Sequence, residues 1–469
     1  MQNISNKYPI LSESDPDSDK IFLTWPHKNC IFETSQDSAG TKSKEIFLNK
    51  ATQRPEIENL LSPKTFSGFK RYTKDGVSEV AEFTGKDNLI IKGNNLPILS
   101  SLASIEAFSG KIKMIYIDPP YNTGNGGFNY NDTHNHSAWL TFMENRLSIA
   151  HKLLSDTGII FISCDDEEFA YLKVLCDEIF GMENFITSLI WRKKAGGAND
   201  SADIAVEHEY ILTYRKKLNG IYKIPLNPEA LKNYKFSDDK EKTHGKYLLK
   251  DLNDKSLSDS PGLHYDIICP DGSALKADEH QWKCNYSTFM KRLKDDRIVF
   301  KKVKGKYKVY YKIYLNEEKG KLKYDAGGNI VQKGRNMSSI LYDVALNKEG
   351  ARDLKLMFDN EYPFAYPKPV KLIKALVRVA TKEGDTVLDF FAGSGTTGQA
   401  VMEINHETKL NRNFILIEQL DCIEEITVKR NANYIKKNHS DESLIFFATE
   451  EGEITEKDKY LNGLFYSLK

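Results

Sequence analysis

A short apolar run ends in four residues that together could bind a planar amine. Residues 113–117 favour a β-strand, and Asp118, Pro119, Pro120 and Tyr121 follow them directly. Because the two prolines have no N–H groups, the carbonyls of Asp118 and Pro119 remain available to accept hydrogen bonds from a ligand. The ring of Tyr121 offers a flat face for stacking. The group predicts an acceptor-lined slot for a planar ligand with an exocyclic amine, such as a nucleobase.

A second cluster has the features of a nucleotide-binding turn. A predicted strand at residues 386–391 is followed by Gly393 and Gly395, within Ala-Gly-Ser-Gly-Thr-Thr-Gly, and then by a helix. Glycines let the backbone approach a ligand closely, and the N-terminus of a helix supplies N–H groups and positive potential. The next predicted strand, at residues 414–417, ends in Glu418, which is placed to accept hydrogen bonds from both hydroxyls of a ribose.

The surroundings of this turn favour S-adenosylmethionine as the ligand. Asp389, two residues before Phe391, indicates a ligand with a cationic amine, and S-adenosylmethionine carries an amine, a carboxylate and a ribose. NAD is the alternative, but Gly398 lies one residue beyond the usual position of its third glycine. No lysine follows Gly395 or Gly398, so the turn is not a P-loop and hydrolysis of nucleoside triphosphates is not expected.

The slot and the turn both require a sheet to hold them. Strand-like and helix-like segments alternate from Asn88 to about Arg215 and resume before the turn, which predicts an α/β fold with a mostly parallel sheet. Predicted strands lie at residues 89–91, 159–162, 186–191 and 208–212, and predicted helices at 96–102, 137–158 and 370–380. The carboxyl edge of such a sheet is where α/β proteins bind ligands.

Several polar groups near these strands are given structural or mobile roles. The loop at residues 122–131 contains Gly124, Gly126 and Gly127, so we expect it to be mobile and able to close over a ligand. The acidic residues 165–168 are interpreted as the start of a helix, where carboxylates are favoured. Neither His134–His136 nor His208–Glu209 has the flanking ligands of a metal site, and no metal is expected.

Residues 216–346 differ in texture from the rest of the chain. They hold many lysines and tyrosines, and residues 297–300 and 307–314 are predicted strands. The candidate nucleic-acid-binding cations in this stripe are Arg292, Lys294, Arg297, Lys301, Lys302, Lys304, Lys306 and Lys308. Such a composition suits a surface that neutralises phosphates and contacts bases. The alternative is a solvated edge strand that is protected by its lysines.

Length and composition set outer bounds on the protein. Its 469 residues are enough for two domains, and an apolar fraction of 40% supports a substantial core. The net charge is +0, so any surface for nucleic acid must be local. Six cysteines without a C-x-x-C pair fit a reducing cytosol. With neither a signal peptide nor an apolar run that could span a membrane, we expect a cytoplasmic protein.

The order of the two clusters resembles that of a known enzyme family. Asp118-Pro119-Pro120-Tyr121, followed much later by Phe-Ala-Gly-Ser-Gly at residues 391–395, resembles β-class adenine-specific DNA methyltransferases, in which the catalytic motif precedes the cofactor motif. Residues 122–124, 137–143, 160–163 and 207–210 are similar to the modification (Mod) subunits of type III restriction-modification systems. The resemblance covers about residues 85–215 and 360–435.

The resemblance implies a fold and a division of the chain. The fold would be a Rossmann-like, S-adenosylmethionine-dependent methyltransferase fold, circularly permuted and interrupted by a target-recognition domain. We expect an N-terminal polar arm or cap at residues 1–60, the catalytic domain at 61–215 and 347–440, the target-recognition domain at 216–346, and a C-terminal tail at 441–469.

The resemblance also implies roles for single residues. Asp118 and the carbonyl of Pro119, in a motif completed by Pro120, would accept hydrogen bonds from the adenine amine, and Tyr121 would stack on the flipped base. The residues implied at the cofactor are Asn94, Lys368, Asp389, Phe391, Gly393, Gly395, Thr396 and Glu418. Of these, Asp389 and Lys368 would lie near its methionine end. Asn94 stands where relatives commonly carry aspartate, so we expect it to make a weakened contact with the cofactor's adenine.

Other readings of the same residues stay open. N4-cytosine methyltransferases share the slot but more often begin it with serine, whereas RNA and protein-glutamine methyltransferases usually begin it with asparagine. A catalytically silent DNA-specificity subunit is a further alternative, although Asp118 and Tyr121 argue against it. Expected partners are double-stranded DNA, a second copy in a homodimer, and a separate helicase-nuclease restriction subunit. Because the chain is short for a Mod subunit, a type II or orphan enzyme is also possible.

Overall fold

The structure is a computed structural model that describes residues 10–11, 23–34, 45–122, 135–196, 204–254, 258–324, 328–449 and 454–469. The chain forms two compact units: unit 1 comprises Met1–Tyr222 and Ser338–Lys469, and unit 2 comprises Lys223–Met337. The predicted mobile loop with Gly124, Gly126 and Gly127 lies outside the described residues, as does His134. Among the described helices, none has the length and apolar character needed to cross a membrane.

Strands and helices alternate along much of the described chain. The strands are β1 (Ile10–Leu11), β2 (Leu23–Thr24), β3 (Cys30–Thr34), β4 (Glu45–Asn49), β5 (Phe66–Thr73), β6 (Gly76–Glu79), β7 (Asn88–Lys92), β8 (Ile112–Ile117), β9 (Leu154–Cys164), β10 (Phe185–Arg192), β11 (His208–Arg215), β12 (Tyr247–Asp251), β13 (Ile267–Ile268), β14 (Ala274–Leu275), β15 (Ile298–Val303), β16 (Lys306–Tyr314), β17 (Glu317–Glu318), β18 (Lys321–Leu322), β19 (Ile340–Leu341), β20 (Thr386–Asp389), β21 (Asn413–Glu418) and β22 (Leu444–Thr449). The helices are α1 (Arg54–Leu61), α2 (Asn95–Ala103), α3 (His136–Leu153), α4 (Phe169–Phe180), α5 (Pro228–Lys232), α6 (Glu241–His244), α7 (Tyr286–Lys294), α8 (Asn347–Met357), α9 (Val370–Ala380), α10 (Thr396–Thr408), α11 (Lys429–Lys437) and α12 (Glu456–Tyr466).

Unit 1 is built on one 11-stranded sheet. The strand order is β19-β10-β11-β9-β8-β20-β21-β7-β22-β5-β6, and the six strands from β9 to β22 are parallel. Every residue of β8 is buried, as expected for a parallel strand that is covered on both faces. The predicted α/β fold with a mostly parallel sheet is therefore confirmed.

The two faces of the sheet are covered by different helices. Successive side chains of a strand point to opposite faces. On β8, Ile115 and Ile117 join a core that also contains Leu99 of α2, Trp139 of α3 and Leu172 of α4. Helices α9 and α10 pack beside each other, and α9 also contacts β8 and β9. This layering holds the carboxyl ends of the parallel strands at one rigid edge.

The slot and the glycine turn follow neighbouring strands. β8 pairs in parallel with β20, with Met114 opposite Val387 and Ile115 opposite Leu388. Asp118 is the first residue after β8, and Asp389 is the last residue of β20. The two clusters, far apart in the sequence, therefore share the carboxyl edge of the sheet, where α/β folds bind ligands.

The chain leaves and re-enters unit 1 beside one edge of this sheet. β11 and β19 lie on either side of β10, and unit 2 lies between them in sequence. The predicted insertion at residues 216–346 is therefore longer than the compact unit. Residues at both of its ends belong to unit 1: the N–H of Tyr222 donates to the carbonyl of Val379 (2.7 Å), and β19 pairs with β10.

The described parts of residues 1–60 form a cap on α3. The indole N–H of Trp25 donates to Thr141 (2.8 Å), and the backbone N–H of Phe32 donates to the side chain of Asn145 (2.8 Å). Trp25 and Phe32 are both buried in the main core. Of the two possibilities left by the sequence, an arm or a cap, the described residues fit the cap.

The predicted C-terminal tail is instead part of the sheet, so this prediction is wrong. β22 pairs in parallel with β7, and α12 packs near β5, where the rings of Phe465 and Phe66 lie 5.6 Å apart. The physical reason is a fully buried run, Leu444–Phe447, which has to be covered on both faces.

The sequence predicted that Gly158 ends the preceding helix, and the structure shows that it does not. α3 ends at Leu153, and Gly158 lies inside β9. A Cβ atom there would lie 2.8 Å from the carbonyl oxygen of Ser155 and 3.1 Å from that of Ile112. The glycine is therefore needed for the close approach of neighbouring backbone.

Unit 2 contains an antiparallel sheet in the order β12-β16-β15. The predicted strands at residues 297–300 and 307–314 are confirmed as β15 and β16. They are joined at Lys304 (φ 52°) and Gly305 (φ 79°), the conformation of a two-residue hairpin turn. The core of unit 2 is small and partly aromatic, and contains Leu252, Ile267, Trp282, Cys284, Phe289, Ile298 and Val309.

Candidate active site

Asp118 and Tyr121 meet a lysine and a second carboxylate. The ammonium of Lys368 lies 3.1 Å from Oδ1 of Asp118 and donates to the hydroxyl of Tyr121 (2.9 Å) and to Oε2 of Glu209 (2.9 Å). The hydroxyl of Tyr121 donates to Oδ1 of Asp118 (2.5 Å) and lies 3.2 Å from Oε2 of Glu209. These four residues are called the slot cluster below.

Burial and ion pairing shift the pKa values of the two carboxylates of the slot cluster in opposite directions. Burial raises the pKa of Asp118, and Lys368 offsets only part of this rise. Burial would likewise raise the pKa of Glu209, but Lys368 and Lys193 together lower it below its ordinary value. Lys193 lies 3.1 Å from Oε1 of Glu209. Glu209 is thus the more firmly ionised of the two, and Asp118 has the greater affinity for a proton.

The lysine and the tyrosine of the slot cluster keep their protons at neutral pH. Burial would lower the pKa of Lys368, but Asp118 and Glu209 outweigh it and raise the pKa above its ordinary value. Burial raises the pKa of Tyr121 strongly, and the two carboxylates raise it further. Tyr121 therefore remains a hydrogen-bond donor, and Lys368 remains a cation.

The backbone after Asp118 is held by groups on α3 and just before α4. The indole N–H of Trp139 donates to the carbonyl of Pro120 (2.7 Å). The side-chain amide of Asn122 donates to Glu168 (2.7 Å), and Nδ1 of His136 lies 2.8 Å from the same carboxylate. Because Asn122 directly follows Tyr121, these contacts fix the end of the motif.

Glu168 directly precedes α4, so the prediction that the acidic residues 165–168 mark the start of a helix is confirmed, but its carboxylate has other partners. It precedes α4 but makes no side-chain cap hydrogen bond there. It is fully buried, and burial raises its pKa to about 7. Within the described residues, no group of three or more His, Cys, Asp or Glu side chains is arranged to hold a metal ion.

The glycine turn lies between β20 and α10. Gly393 and Gly395 have φ values of 49° and 77°, which favour glycine. Asp389 accepts from the N–H of Phe391 (3.0 Å) and from the hydroxyl of Thr397 (2.5 Å). Oε2 of Glu418 accepts from the N–H of Gly393 (2.7 Å). Both predicted cofactor carboxylates thus brace the turn itself.

Thr427 and Arg430 also support the turn, although the sequence pattern did not reveal them. The hydroxyl of Thr427 donates to the carbonyl of Gly393 (2.5 Å), and Arg430 donates to the hydroxyls of Ser394 (2.8 Å) and Thr396 (2.7 Å). Arg430 is fully buried, and burial lowers its pKa to about 10. The sequence signal for these residues is a threonine and an arginine three residues apart, which lie on one helical face after a strand that ends in an acid.

Asn94 caps the start of α2, close to a neighbour that contacts the segment before the turn. Its side-chain oxygen accepts from the N–H of Leu96 (3.0 Å), which is a helix cap. The next residue, Asn95, donates to the carbonyl of Phe390 (2.7 Å) and accepts from Arg146 (2.5 Å). Asn94 is therefore positioned near the turn, and its contact with the cofactor's adenine stays a prediction.

Comparison with known proteins identifies the family. The sequence model of the family N6_N4_Mtase, described as DNA methylase, matches residues 112–429, well over half of the chain. The chain belongs to this family. Both the slot cluster and the glycine turn lie within the matched residues, and the predicted methyltransferase fold is confirmed.

Individual relatives differ in how much of their length is shared. This methylase is 36% identical over 435 residues to a probable type III restriction-modification enzyme HindVI Mod subunit of Haemophilus influenzae, and the match covers 83% of this chain and 57% of that one. It is 30% identical over 400 residues to the type II methyltransferase M.KpnI of Klebsiella pneumoniae, covering 79% and 93%. The chain spans somewhat over half the length of the Mod subunits that it matches.

Among solved structures, a putative DNA modification methylase from Thermus thermophilus, in complex with S-adenosyl-L-methionine, is 16% identical to this methylase. The TM-score is 0.38, and the match covers 77% of this chain and all of that one.

The predicted basic stripe of this DNA methylase falls into two groups. Lys294, Lys301, Lys302, Lys304, Lys306 and Lys308 are exposed, as the stripe requires. Arg297 instead makes a two-fold ion pair with the buried Glu317 (2.6 and 2.7 Å), and Arg292 lies over the ring of Tyr311 (4.6 Å). The arginines thus stabilise unit 2 internally, and the structure does not place Arg297 among the exposed cations.

Lys368 and Glu209 have contacts that the sequence did not reveal. The ammonium of Lys368 lies in the slot cluster, whereas its carbonyl accepts from the hydroxyl of Thr396 at the glycine turn (3.2 Å), and its position near the methionine end of the cofactor stays a prediction. Glu209 was given no role in the sequence: it lies in the Mod-like residues 207–210 and in a His-Glu pair that was not expected to bind metal. The signal for it is a glutamate within the apolar strand β11. Such a charge is buried at a cost unless it is paired, and here Lys193 and Lys368 provide the partners.

Proposed function

We propose that the chain is a site-specific DNA methyltransferase that transfers a methyl group from S-adenosylmethionine to N6 of a flipped-out adenine in double-stranded DNA. The observation that carries this proposal is the pairing of β8 with β20, because it brings Asp118 and the glycine turn to one edge of the sheet. Membership of the DNA methylase family supports the reaction class.

The residues of the glycine turn suit S-adenosylmethionine. Asp389 is 2% exposed, and burial raises its pKa to about 7, so a cationic amine would be a favourable partner for its ionised form. Glu418 would accept from the ribose hydroxyls, and the N-terminus of α10 would favour a carboxylate. Phe391, Gly393, Gly395 and Thr396 would line the site. When bound, S-adenosylmethionine supplies an electrophilic methyl group.

The slot cluster suits the adenine. Asp118 and the carbonyl of Pro119 would accept the two N–H bonds of the amine and so orient its lone pair, which is a task of positioning and electrostatics. Tyr121 would stack on the ring. Removing the base from the duplex costs a few kcal/mol, which is recovered by these contacts. The raised pKa of Asp118 makes it a suitable acceptor for the proton that the amine must lose.

The choice of adenine over cytosine rests on the first residue of the motif. N4-cytosine methyltransferases more often have serine there, and this chain has Asp118. N4-methylation of cytosine is the second candidate function, and the family includes both chemistries in its name. The modified base in DNA distinguishes them directly.

Unit 2 is proposed as the target-recognition domain. Its hairpin of β15 and β16 carries exposed lysines at residues 301, 302, 304, 306 and 308. Such cations neutralise phosphates and release counterions, which gives sequence-independent affinity for double-stranded DNA. Aromatic side chains lie beside some of them: Lys301 is 4.6 Å from the ring of Phe236, and Lys302 is 4.9 Å from that of Tyr307.

We further propose that the enzyme is the modification component of a restriction-modification system, as its similarity to type III Mod subunits supports. A separate restriction subunit and a second copy of this chain are the proposed partners. Co-purification of the tagged chain from its host, followed by mass spectrometry and light scattering, tests both.

One experiment tests the main proposal. The chain is expressed in a host without endogenous adenine methylation, and the host DNA is sequenced for modified bases. We expect N6-methyladenine at one sequence motif, and its absence with Asp118→Ala. N4-methylcytosine in place of N6-methyladenine would establish the alternative. A modification that survives Asp118→Ala, or no modification at all, would contradict the proposal.

A further inference from the structure

Glu209 is a buried carboxylate to which the mechanism above assigns no task. Its side chain is 7% exposed. Oε2 accepts from Lys368 (2.9 Å), and Oε1 accepts from Lys193 (3.1 Å). Oε2 also lies 3.2 Å from the hydroxyl of Tyr121. A buried carboxylate with two lysine partners is a firmly held negative charge.

Among the described residues, the hydrogen-bonding partners of Asp118 all contact one of its two oxygens. Tyr121 (2.5 Å) and Lys368 (3.1 Å) both reach Oδ1. Across the described part of the chain, no donor forms a hydrogen bond with Oδ2. Because Tyr121 and Lys368 both contact Glu209 as well, Glu209 holds the two groups that in turn hold Asp118.

We propose that Glu209 is a positioning residue for methyl transfer. It holds Lys368 and Tyr121 against Oδ1 of Asp118, so that Oδ2 is left to accept from the target amine. This inference rests on the proposed methyltransferase function and adds a residue to its machinery. Glu209 acts through its neighbours and is not expected to touch the base.

A matched carboxylate elsewhere in unit 1 shows what a purely structural role would look like. Asp177 of α4 is bonded by the same two kinds of group, the ammonium of Lys173 (2.7 Å) and the hydroxyl of Tyr214 (2.8 Å). It makes no contact with the slot cluster among its described hydrogen bonds. Removing its charge should therefore affect stability alone.

The charges around Asp118 determine the expected pH effect. The titratable groups that face it are Lys368, Glu209, Tyr121, Tyr116 and Asp389. Those that face Glu209 are Lys368, Lys193, Asp118, Tyr121, Tyr116, Asp165 and Cys164. After burial, the negative charge of Glu209 raises the pKa of Asp118, and Lys368 lowers it. Loss of the charge on Glu209 therefore lowers the pKa of Asp118.

The test compares Glu209→Gln with Asp177→Asn in the full chain. For Glu209→Gln we expect turnover on duplex DNA to fall about 10²-fold, because a small misplacement of a reacting group has such an effect. Affinity for S-adenosylmethionine should be unchanged, and the acidic limb of the turnover profile should move to lower pH. Glu209→Asp should restore the position of that limb. Asp177→Asn should change neither turnover nor the limb.

Different results would contradict the role of Glu209 and the methyltransferase function. The pKa of Asp118 is read without DNA, by NMR of protein with carbon-13-labelled aspartate, with Asp118→Asn for assignment. A methylating wild type whose Glu209→Gln variant keeps its turnover and the pKa of Asp118 overturns the inference alone. The inference is also overturned if the loss of turnover is explained entirely by the fraction of protein that is unfolded. A wild type without methylation, in which Glu209→Gln still lowers that pKa, contradicts the function and leaves the coupling of Glu209 to Asp118 supported.

Discussion

The lysine of the slot cluster is buried, whereas the lysines in the hairpin of unit 2 are exposed. The side chain of Lys368 is 12% exposed and has two carboxylate partners, whereas that of Lys302 is 56% exposed and pairs with the partly exposed Asp271 (3.1 Å). A buried charge is fixed in place and costly to leave unpaired. An exposed ion pair contributes little and exchanges readily with solvent and salt. The same residue type is therefore suited to orient a reacting group in one place and to follow a phosphate backbone in the other.

Replacement of Lys368, the lysine of the slot cluster, should have the largest effect, on both stability and the pH dependence of turnover. Lys368→Met leaves Asp118 and Glu209 without their shared cation, so the free energy of unfolding should fall by about 3–5 kcal/mol. The pKa of Asp118 should rise, and the acidic limb of turnover should move to higher pH. Urea denaturation and a pH–turnover profile measure both changes.

The matched control is Lys302→Met, which removes an exposed ion pair of the hairpin. We expect its free energy of unfolding and its pH profile to equal those of the wild type. Equal destabilisation by the two variants would show that burial does not distinguish these lysines.

Removal of several hairpin lysines should give the next largest effect. Alanine at Lys304, Lys306 and Lys308 should make the slope of log affinity against log salt less negative by about 2–3, because each phosphate contact contributes about 0.9. Turnover at saturating DNA should stay near that of the wild type. Fluorescence anisotropy with duplex DNA at several salt concentrations measures the slope.

A triple variant in the same unit serves as the control for net charge. Alanine at Lys232, Lys250 and Lys321, which are also exposed, should change the slope less. If both triple variants give the same slope, DNA does not select the hairpin, and the proposed role of β15 and β16 is contradicted.

The smallest effect concerns another buried charge, at the glycine turn. Burial raises the pKa of Asp389 to about 7, so its carboxylate becomes protonated as the pH falls below that value. A cationic amine then loses its partner, and affinity for S-adenosylmethionine should weaken by up to about tenfold for each pH unit below 7. Calorimetry between pH 6 and 8 measures this change. Asp389→Asn should bind more weakly and without this pH dependence.

Sequence predicted the parts of unit 1 that depend on local pattern. β8, β20 and the turn at Gly393 and Gly395 are marked by apolar runs that end in special residues, and the structure contains them at the expected places. The acids Asp389 and Glu418 follow from the same pattern. These features are encoded within a few neighbouring residues, so one sequence is enough to find them.

Contacts between distant segments were less predictable. Lys368 contacts both Asp118 and Glu209 only because β11 and the segment before α9 converge on the end of β8. In a one-dimensional pattern each is a single charge beside apolar residues. The error at residues 441–469 has a related cause, since β22 is recognisable as a central strand only once its partner β7 is known.

The place where the chain interrupts its own sheet has a consequence for inheritance. The excursion through residues 223–337 begins after β11 and ends just before β19, and every parallel strand from β9 to β22 lies outside it. Recombination at these two points in the gene would exchange a complete folding unit and cut none of those strands. If unit 2 chooses the DNA site, new specificities could arise by such exchange in a single event, while the chemistry is passed on unaltered.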